Sequence, residues 1–211
     1  MPGQTKTRLE KMLTKEECAQ IHINFLKDIK LICESTKGDK FIFYTPMDKN
    51  NILSDIFGDK FNYEIQEGKD LGEKMYNALN HVFDKGYNSC ILIGSDIPYI
   101  KKEDLDKSFS ILREEDIVLG PTEDKGYYLV GMNKPIKVIF ENIEYGHGNV
   151  LENTIEAIKK EHLTYALTNK NRDIDEPEDL KYFYKEIKRK NIDEEMNTSK
   201  FILNKFEGDY R

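Results

Sequence analysis

Cys90-Ile91-Leu92-Ile93-Gly94-Ser95-Asp96-Ile97-Pro98 is the stretch on which the reading of this chain turns. Its apolar half lacks the polar alternation of a strand with one wet face. It therefore reads as a central strand covered on both sides by helices. The strand runs into an acidic loop, and in open α/β sheets ligands bind beyond the carboxyl ends of strands. A carboxylate placed there without a partner would cost several kcal/mol, so Asp96 should meet a cation, backbone N–H groups or a metal. A helix cap or turn is the alternative role for the same residue.

Working outward, Thr14 and Glu17 form a capping-box pair ahead of Ile21, Phe25 and Ile29, which predicts a helix to about Cys33. Phe41 to Tyr44 reads as a buried strand, Lys49 to Phe57 as a helix and Tyr63 to Ile65 as a weaker strand. Asp70 is the expected N-cap of a helix reaching about Lys85. Beyond the acidic loop come a helix over Lys102 to Arg113 and strands at Ile117 to Leu119 and Tyr127 to Val130. Only Gly120 to Gly126 joins those two strands. A parallel crossover needs roughly a dozen residues or more, so the pair should be antiparallel inside an otherwise mostly parallel sheet. A helix after Asn149, a strand at Leu163 to Leu167 and a helix from Pro177 to about Lys190 complete one α/β domain over residues 1–190. Residues 191–211 read as a polar, partly helical tail.

The 211 residues suffice for one sizeable core, and 38% hydrophobic with 34% charged residues suits a folded chain. A net charge of -7 argues against a nonspecific grip on nucleic acid. No apolar run approaches the roughly 20 residues that span a bilayer, and the polar start lacks the apolar core of a signal peptide. Cys18, Cys33 and Cys90 are odd in number and widely spaced, so neither a disulfide framework nor a zinc site is expected. A reducing cytoplasm is the expected location.

Other residues carry possible chemistry. Asp173 and Asp175 form a second acidic cluster at a strand end, and its convergence with Asp96 would suit Mg²⁺ or Mn²⁺. Asp175 could instead cap the helix that begins at Pro177. Gly120-Pro121-Thr122-Glu123-Asp124-Lys125-Gly126-Tyr127-Tyr128 is richer than a plain hairpin needs. It reads as a substrate loop in which Glu123 or Asp124 binds hydroxyls or metal, Gly126 lets backbone approach the ligand and Tyr127 follows. A solvated turn is the plainer reading. Lys6 and Arg8, after Gly3, are cations that could meet phosphates. Gly68, Asp70 and Gly72 bracket a helix N-terminus open to an anion or ribose hydroxyls. His147, between Gly146 and Gly148, is a possible base, though an isolated loop histidine is more often simply solvated.

In this order, PGQTKTRL, GKDLGEKM, IGSDIP, GPTEDKGYYLVG and DIDEPEDL resemble the DUF2064 family of GT-A-like transferases, up to about Phe183. The resemblance implies a single Rossmann-like nucleotide-diphospho-sugar transferase domain, three-layer α/β/α with a mixed, mostly parallel sheet. It is related to molybdenum-cofactor nucleotidyltransferases and phospholactate guanylyltransferase. It further implies a phosphate-side loop at Lys6 and Arg8, a metal position at Asp96 and a second acidic position at Asp175. Glu123, Asp124 and Gly126 fall on the family's acidic, glycine-containing substrate loop. Two departures stand out. The family's first strand, ahead of the PG-x-x-KTRL loop, is missing before Met1, as a late-assigned start or a truncation would leave it. Lys125 also stands where the family usually has glycine.

The leading expectation is a glycosyltransferase-like enzyme in which Asp96-bound Mg²⁺ or Mn²⁺ neutralises the diphosphate leaving group of a nucleotide-sugar. The alternatives are a nucleotidyltransferase, with an NTP as donor and a small phosphorylated or carboxylated acceptor, and a noncatalytic nucleotide-binding module. The acceptor and the oligomeric state are not legible.

Overall fold

The computed structural model describes residues 2–3, 5–45, 52–146 and 148–208. Its elements run α1 (Lys15–Ser35), β1 (Phe41–Tyr44), α2 (Ile52–Phe57), β2 (Asn62–Ile65), α3 (Leu71–Asp84), β3 (Cys90–Ile93) and α4 (Lys102–Ile111). They continue with β4 (Ile117–Pro121), β5 (Tyr127–Met132), α5 (Val150–Lys160), β6 (Tyr165–Leu167), α6 (Pro177–Lys188) and α7 (Asn197–Gly208). The expected first turn of the helix at Lys49 and the loop residue His147 lie outside the described residues.

Local chemistry accounts for the element ends. Thr14 and Glu17 form the expected capping box: Thr14 N–H donates to Glu17 Oε2 at 2.8 Å and Glu17 N–H to Thr14 Oγ1 at 3.2 Å. Asp70 caps α3 through Glu73 N–H at 2.8 Å, while Lys69 N–H donates to Glu73 Oε2 at 2.9 Å. The strand expected from Leu163 starts later because α5 closes with His162 in the left-handed region and Leu163 N–H bonded back to Ile158 O. At α6 the N-cap is Glu176, not Asp175, and Asp179 accepts from Glu176 N–H at 2.8 Å.

The chain packs as two compact units interleaved in sequence: Met1–Ser35, Ser95–Ile100 and Arg172–Arg211 form one, and Thr36–Gly94 with Lys101–Asn171 the other. The first is built from α1, α6, α7 and a short 3-10 helix at Thr7–Lys11, around Leu9, Ile21, Phe25, Ile174, Phe183 and Ile202. Within it the tail contributes a packed helix: the buried Asp28 carboxylate accepts from Asn197 N–H and Thr198 N–H, both at 2.9 Å. These bonds satisfy donors at the start of α7.

The second unit holds the six strands found among the described residues and a core of Ile117, Leu119, Val130, Met132, Ile139 and Ile158. β1 and β2 form a parallel pair, and the other four strands form a sheet in the order β3-β5-β4-β6. β5 runs antiparallel to both neighbours, as the short connection requires, and β4 is parallel to β6. Antiparallel ladders thus weigh as much as parallel ones. The close-packed centre also differs from expectation. Every residue of β4 is buried, whereas Ile91, Leu92 and Ile93 of β3 are only half-buried. β3 is an edge of its sheet, with no further strand on its other side among the described residues, so its unbroken apolar run is not the sign of a central position.

Candidate active site

Asp96 lies in the segment of the first unit that follows β3, and its surroundings are made by residues far away in sequence. Lys6 Nζ donates to Asp96 Oδ2 at 3.0 Å and lies 3.4 Å from Asp175 Oδ1. Arg8 donates to Asp175 Oδ2 at 2.6 Å, and Lys11 reaches Glu176 at 3.3 Å. The backbone joins the same groups, since Ile174 N–H donates to Asp96 O at 3.2 Å. The sequence-expected phosphate-side cations and metal-side carboxylates are thereby brought together. Gly3, at a φ of 72°, occupies a turn ahead of them.

Lys6 is an unusual centre for such a cluster. Its side chain is only 7% exposed, its ammonium sits 5.9 Å from the Phe25 ring centroid, and its backbone φ is 52°. A left-handed backbone is disfavoured for a side-chain-bearing residue and is kept only where surrounding structure enforces it. A buried ammonium likewise requires partners, and the two carboxylates supply them. Both acids stay partly open, at 39% and 32% side-chain exposure.

Openness bears on the metal. Among the described residues no group of three or more His, Cys, Asp and Glu could hold an ion. Mg²⁺, however, is usually held by one or two carboxylates together with substrate phosphates and waters. Asp96 and Asp175 fit that donor set, provided phosphate oxygens complete it.

His22 of α1 belongs to this cluster and has no signature in the sequence. Its Nδ1 is 2.9 Å from Thr5 Oγ1 and its Nε2 is 3.4 Å from Ser95 Oγ. Burial, reinforced by the Lys6 charge and opposed by Asp96, lowers its pKa to about 4, so the ring is neutral at physiological pH. A lone histidine at a helical position carries no signal until the fold supplies its two hydroxyl partners.

The loop between β4 and β5, in the second unit, is a tightly bonded turn. Thr122 N–H donates to Gly126 O at 3.0 Å, and Asp124 Oδ1 accepts from both the Thr122 hydroxyl and Gly126 N–H. Asp124 therefore shapes the loop. A Cβ on Gly126 would meet Thr122 Oγ1 at 3.0 Å, so this glycine answers a need of the turn itself. Tyr127 turns inward, its hydroxyl 3.3 Å from that of Tyr145, and burial pushes its pKa up. Glu123 and Lys125 are exposed and line a cavity of about 460 Å³ with Glu152, Glu156 and Lys159 of α5 and Lys170. None of these three lysines is ion-paired among the described residues.

At the start of α3, also in the second unit, Gly68 and Gly72 answer close packing. A Cβ on Gly68 would lie 2.6 Å from Lys74 N, and one on Gly72 would lie 2.6 Å from Phe140 O. Asp70 already accepts the Glu73 N–H of the first turn, and Glu73 the N–H of Lys69 just ahead of the cap, which leaves one fewer helix donor for an anion than the bare sequence suggests.

The model of the family described as "uncharacterized protein conserved in bacteria" (DUF2064) matches residues 29–147, more than half of the chain. The chain belongs to DUF2064. It is also 27% identical to the 2-phospho-L-lactate guanylyltransferase of Methanocaldococcus jannaschii, over 83% of this chain and 75% of that protein. A protein from Desulfovibrio desulfuricans G20, assigned as a nucleotide-diphospho-sugar transferase, has a crystal structure 29% identical to this chain with a TM-score of 0.90. That match covers 100% of this chain and 91% of the other. The 4-diphosphocytidyl-2C-methyl-D-erythritol synthase of Anaerococcus prevotii matches over 80% of this chain and 89% of that one, at 12% identity and a TM-score of 0.57, and shows the fold alone. The DUF2064 chain thus has the mixed α/β, GT-A-like fold of the nucleotide-diphospho-sugar transferases.

Proposed function

We propose that this chain is a transferase that moves a nucleotidyl group from an NTP, with GTP as the first donor to test, to a small phosphorylated or carboxylated acceptor. The observation that carries this reading is the cluster in which Lys6 bridges Asp96 and Asp175 while Arg8 holds Asp175. Two cations beside two half-open carboxylates suit a polyphosphate, whose charge the cations meet while the acids share a divalent ion. Likeness to guanylyltransferases across most of the chain favours nucleotidyl over glycosyl transfer and so reverses the order expected from sequence.

In the proposed reaction an acceptor oxygen forms a bond to the α-phosphorus, the bond from that phosphorus to the bridging oxygen of the β-phosphate breaks, and pyrophosphate leaves. Mg²⁺ or Mn²⁺ held by Asp96 and Asp175 would supply charge neutralisation at the phosphates. Lys6 and Arg8 bind and orient the phosphate chain. In the second unit, the cavity beside Glu123, with three lysines among three glutamates, is a candidate site for a small phosphorylated molecule, and Asp124 and Gly126 hold its loop in shape.

Glycosyl transfer remains the second reading, favoured by the close structural likeness to a nucleotide-diphospho-sugar transferase. Incubation with GTP or with nucleotide-sugars and Mg²⁺ or Mn²⁺ separates them. Pyrophosphate release from GTP is expected, and nucleoside diphosphate release from a nucleotide-sugar would overturn the proposal in favour of glycosyl transfer. Nucleotide binding with neither product would leave the chain a binding module.

A further inference from the structure

One histidine touches the residue immediately before each partner of the central ion pair. Thr5 precedes Lys6, Ser95 precedes Asp96, and the His22 ring bonds both hydroxyls, at 2.9 and 3.4 Å. The same two loops are also joined directly by the Lys6–Asp96 ion pair, at 3.0 Å. Lys6 sits in a strained left-handed conformation, and Asp96 lies in a loop tied back through its carbonyl to Ile174 N–H. We propose that His22 is a positioning residue whose imidazole couples Thr5 to Ser95 and so fixes Lys6 and Asp96 in the geometry used by the proposed transfer.

The chemistry of the side chain suits the task. A neutral imidazole has one donor and one acceptor nitrogen, and each hydroxyl can take the complementary role, so either tautomer satisfies both bonds. Held at a pKa of about 4 by burial and by Lys6, the ring adds no third cation to compete for the Asp96 carboxylate. A lysine or arginine at this position would reach the same hydroxyls and disturb the charge balance. The ring is also planar and anchored on α1, a helix with Ile21 and Phe25 fully buried beside it, so it spans the two loops with little freedom of its own.

The link to catalysis rests on the nucleotidyl-transfer reading, but the link between His22 and the two loops does not, and the experiment keeps them apart. In the full chain, His22→Ala removes both bonds, whereas His22→Gln keeps one donor and one acceptor. Amide exchange is followed at Leu9 and Ile174, which donate to the carbonyls of Lys6 and Asp96 respectively. His22→Ala is expected to speed exchange at both by about tenfold or more, the scale of a lost hydrogen bond, while amides in α6 and α7 keep their rates. His22→Gln should restore much of the protection. With GTP and Mg²⁺, kcat is expected to fall by about tenfold to a hundredfold in His22→Ala with KM nearly unchanged, as misplacement of charged groups predicts. Unchanged exchange at Leu9 and Ile174, or acceleration everywhere in both variants, overturns the positioning role. A loss seen only in KM overturns its part in the transfer step. Should the parent chain release no pyrophosphate, the nucleotidyl reading fails by itself and exchange still decides what His22 does.

Discussion

Lys6 and Lys125 share a left-handed backbone, with φ of 52° and 70°, and differ in almost everything around it. His162 and Lys190 are left-handed because they end helices, where such a turn is ordinary. The two loop lysines need another account. In the first unit the Lys6 side chain is buried and its charge is matched by two aspartates. In the second unit Lys125 is exposed and unpaired among the described residues, and its carbonyl accepts from Leu151 N–H at 2.9 Å. One left-handed position carries the hub of an ion-pair cluster, the other an amine at the edge of a cavity.

The largest effect should follow from emptying the first position. Lys6→Ala leaves two carboxylates facing each other and is expected to cost about 1–3 kcal/mol of stability, solvent screening at the open acids keeping it from the higher values of fully buried pairs. Pyrophosphate release should drop by about a hundredfold or more. Lys6→Gly removes the same charge but also the strain, so it should unfold at higher denaturant than Lys6→Ala by about 1 kcal/mol. Equal stability for the two variants would mean that the left-handed backbone of Lys6 is not strained.

Acid should separate the two regions as well. His22 titrates near 4 in the folded chain against 6.5 ordinarily, so between those values the unfolded chain binds the extra proton. Its contribution is fully present above pH 6.5 and is lost progressively as pH falls through that range to 4. The thermal midpoint of the parent should fall more than that of His22→Gln over this interval, by about 3 °C or more. Lys125→Gly should track the parent. If all three proteins lose stability in parallel, His22 is not a source of the acid response.

The contrast also explains what could be read in advance. Asp96 was legible as a carboxylate in need of a partner, which Lys6 supplies, whereas Lys6, Arg8 and Asp175 stood out through the ordered motifs that resemble the family. The antiparallel β4–β5 pair followed from a connection too short for anything else. β3 misled because an apolar run records which residues avoid water, not which strand lies at its side. Asp175 was ambiguous as a helix cap until Glu176 took that place. His22 and the strain at Lys6 were invisible because each depends on backbone conformation or on partners distant in sequence, whereas the glycine usual in the family at position 125 was a sign of the left-handed backbone there.

At the second position the same logic gives a smaller effect of opposite sign. Lys125→Gly relieves strain without breaking an ion pair, so the chain should keep or gain stability, by about 0.5–1 kcal/mol. Binding of a small phosphomonoester, measured by calorimetry with glycerol 3-phosphate, should weaken by about threefold to tenfold as one of three lysines at the cavity is lost. Destabilisation on substitution by glycine would show that the lysine side chain is structural there, and the contrast with Lys6 would dissolve.

Asp124 offers the mildest test, because its carboxylate is spent on the turn that carries Lys125. An asparagine can accept the same bonds from Thr122 and Gly126 through its amide oxygen, and it is at home in turns. Asp124→Asn should therefore stay within about 0.5 kcal/mol of the parent and within about threefold of its turnover, while Asp124→Ala should lose about 1 kcal/mol with the bonds it deletes. A hundredfold loss of turnover in Asp124→Asn at parental stability would require the negative charge itself, and would move Asp124 from shaping the loop to acting on substrate or metal. The matched measurement on Glu123→Gln locates the effect, since Glu123 lines the cavity and Asp124 does not. If only the Glu123 variant weakens phosphomonoester binding, the loop divides its labour as its bonding indicates: one acid holds the turn and its neighbour meets the ligand.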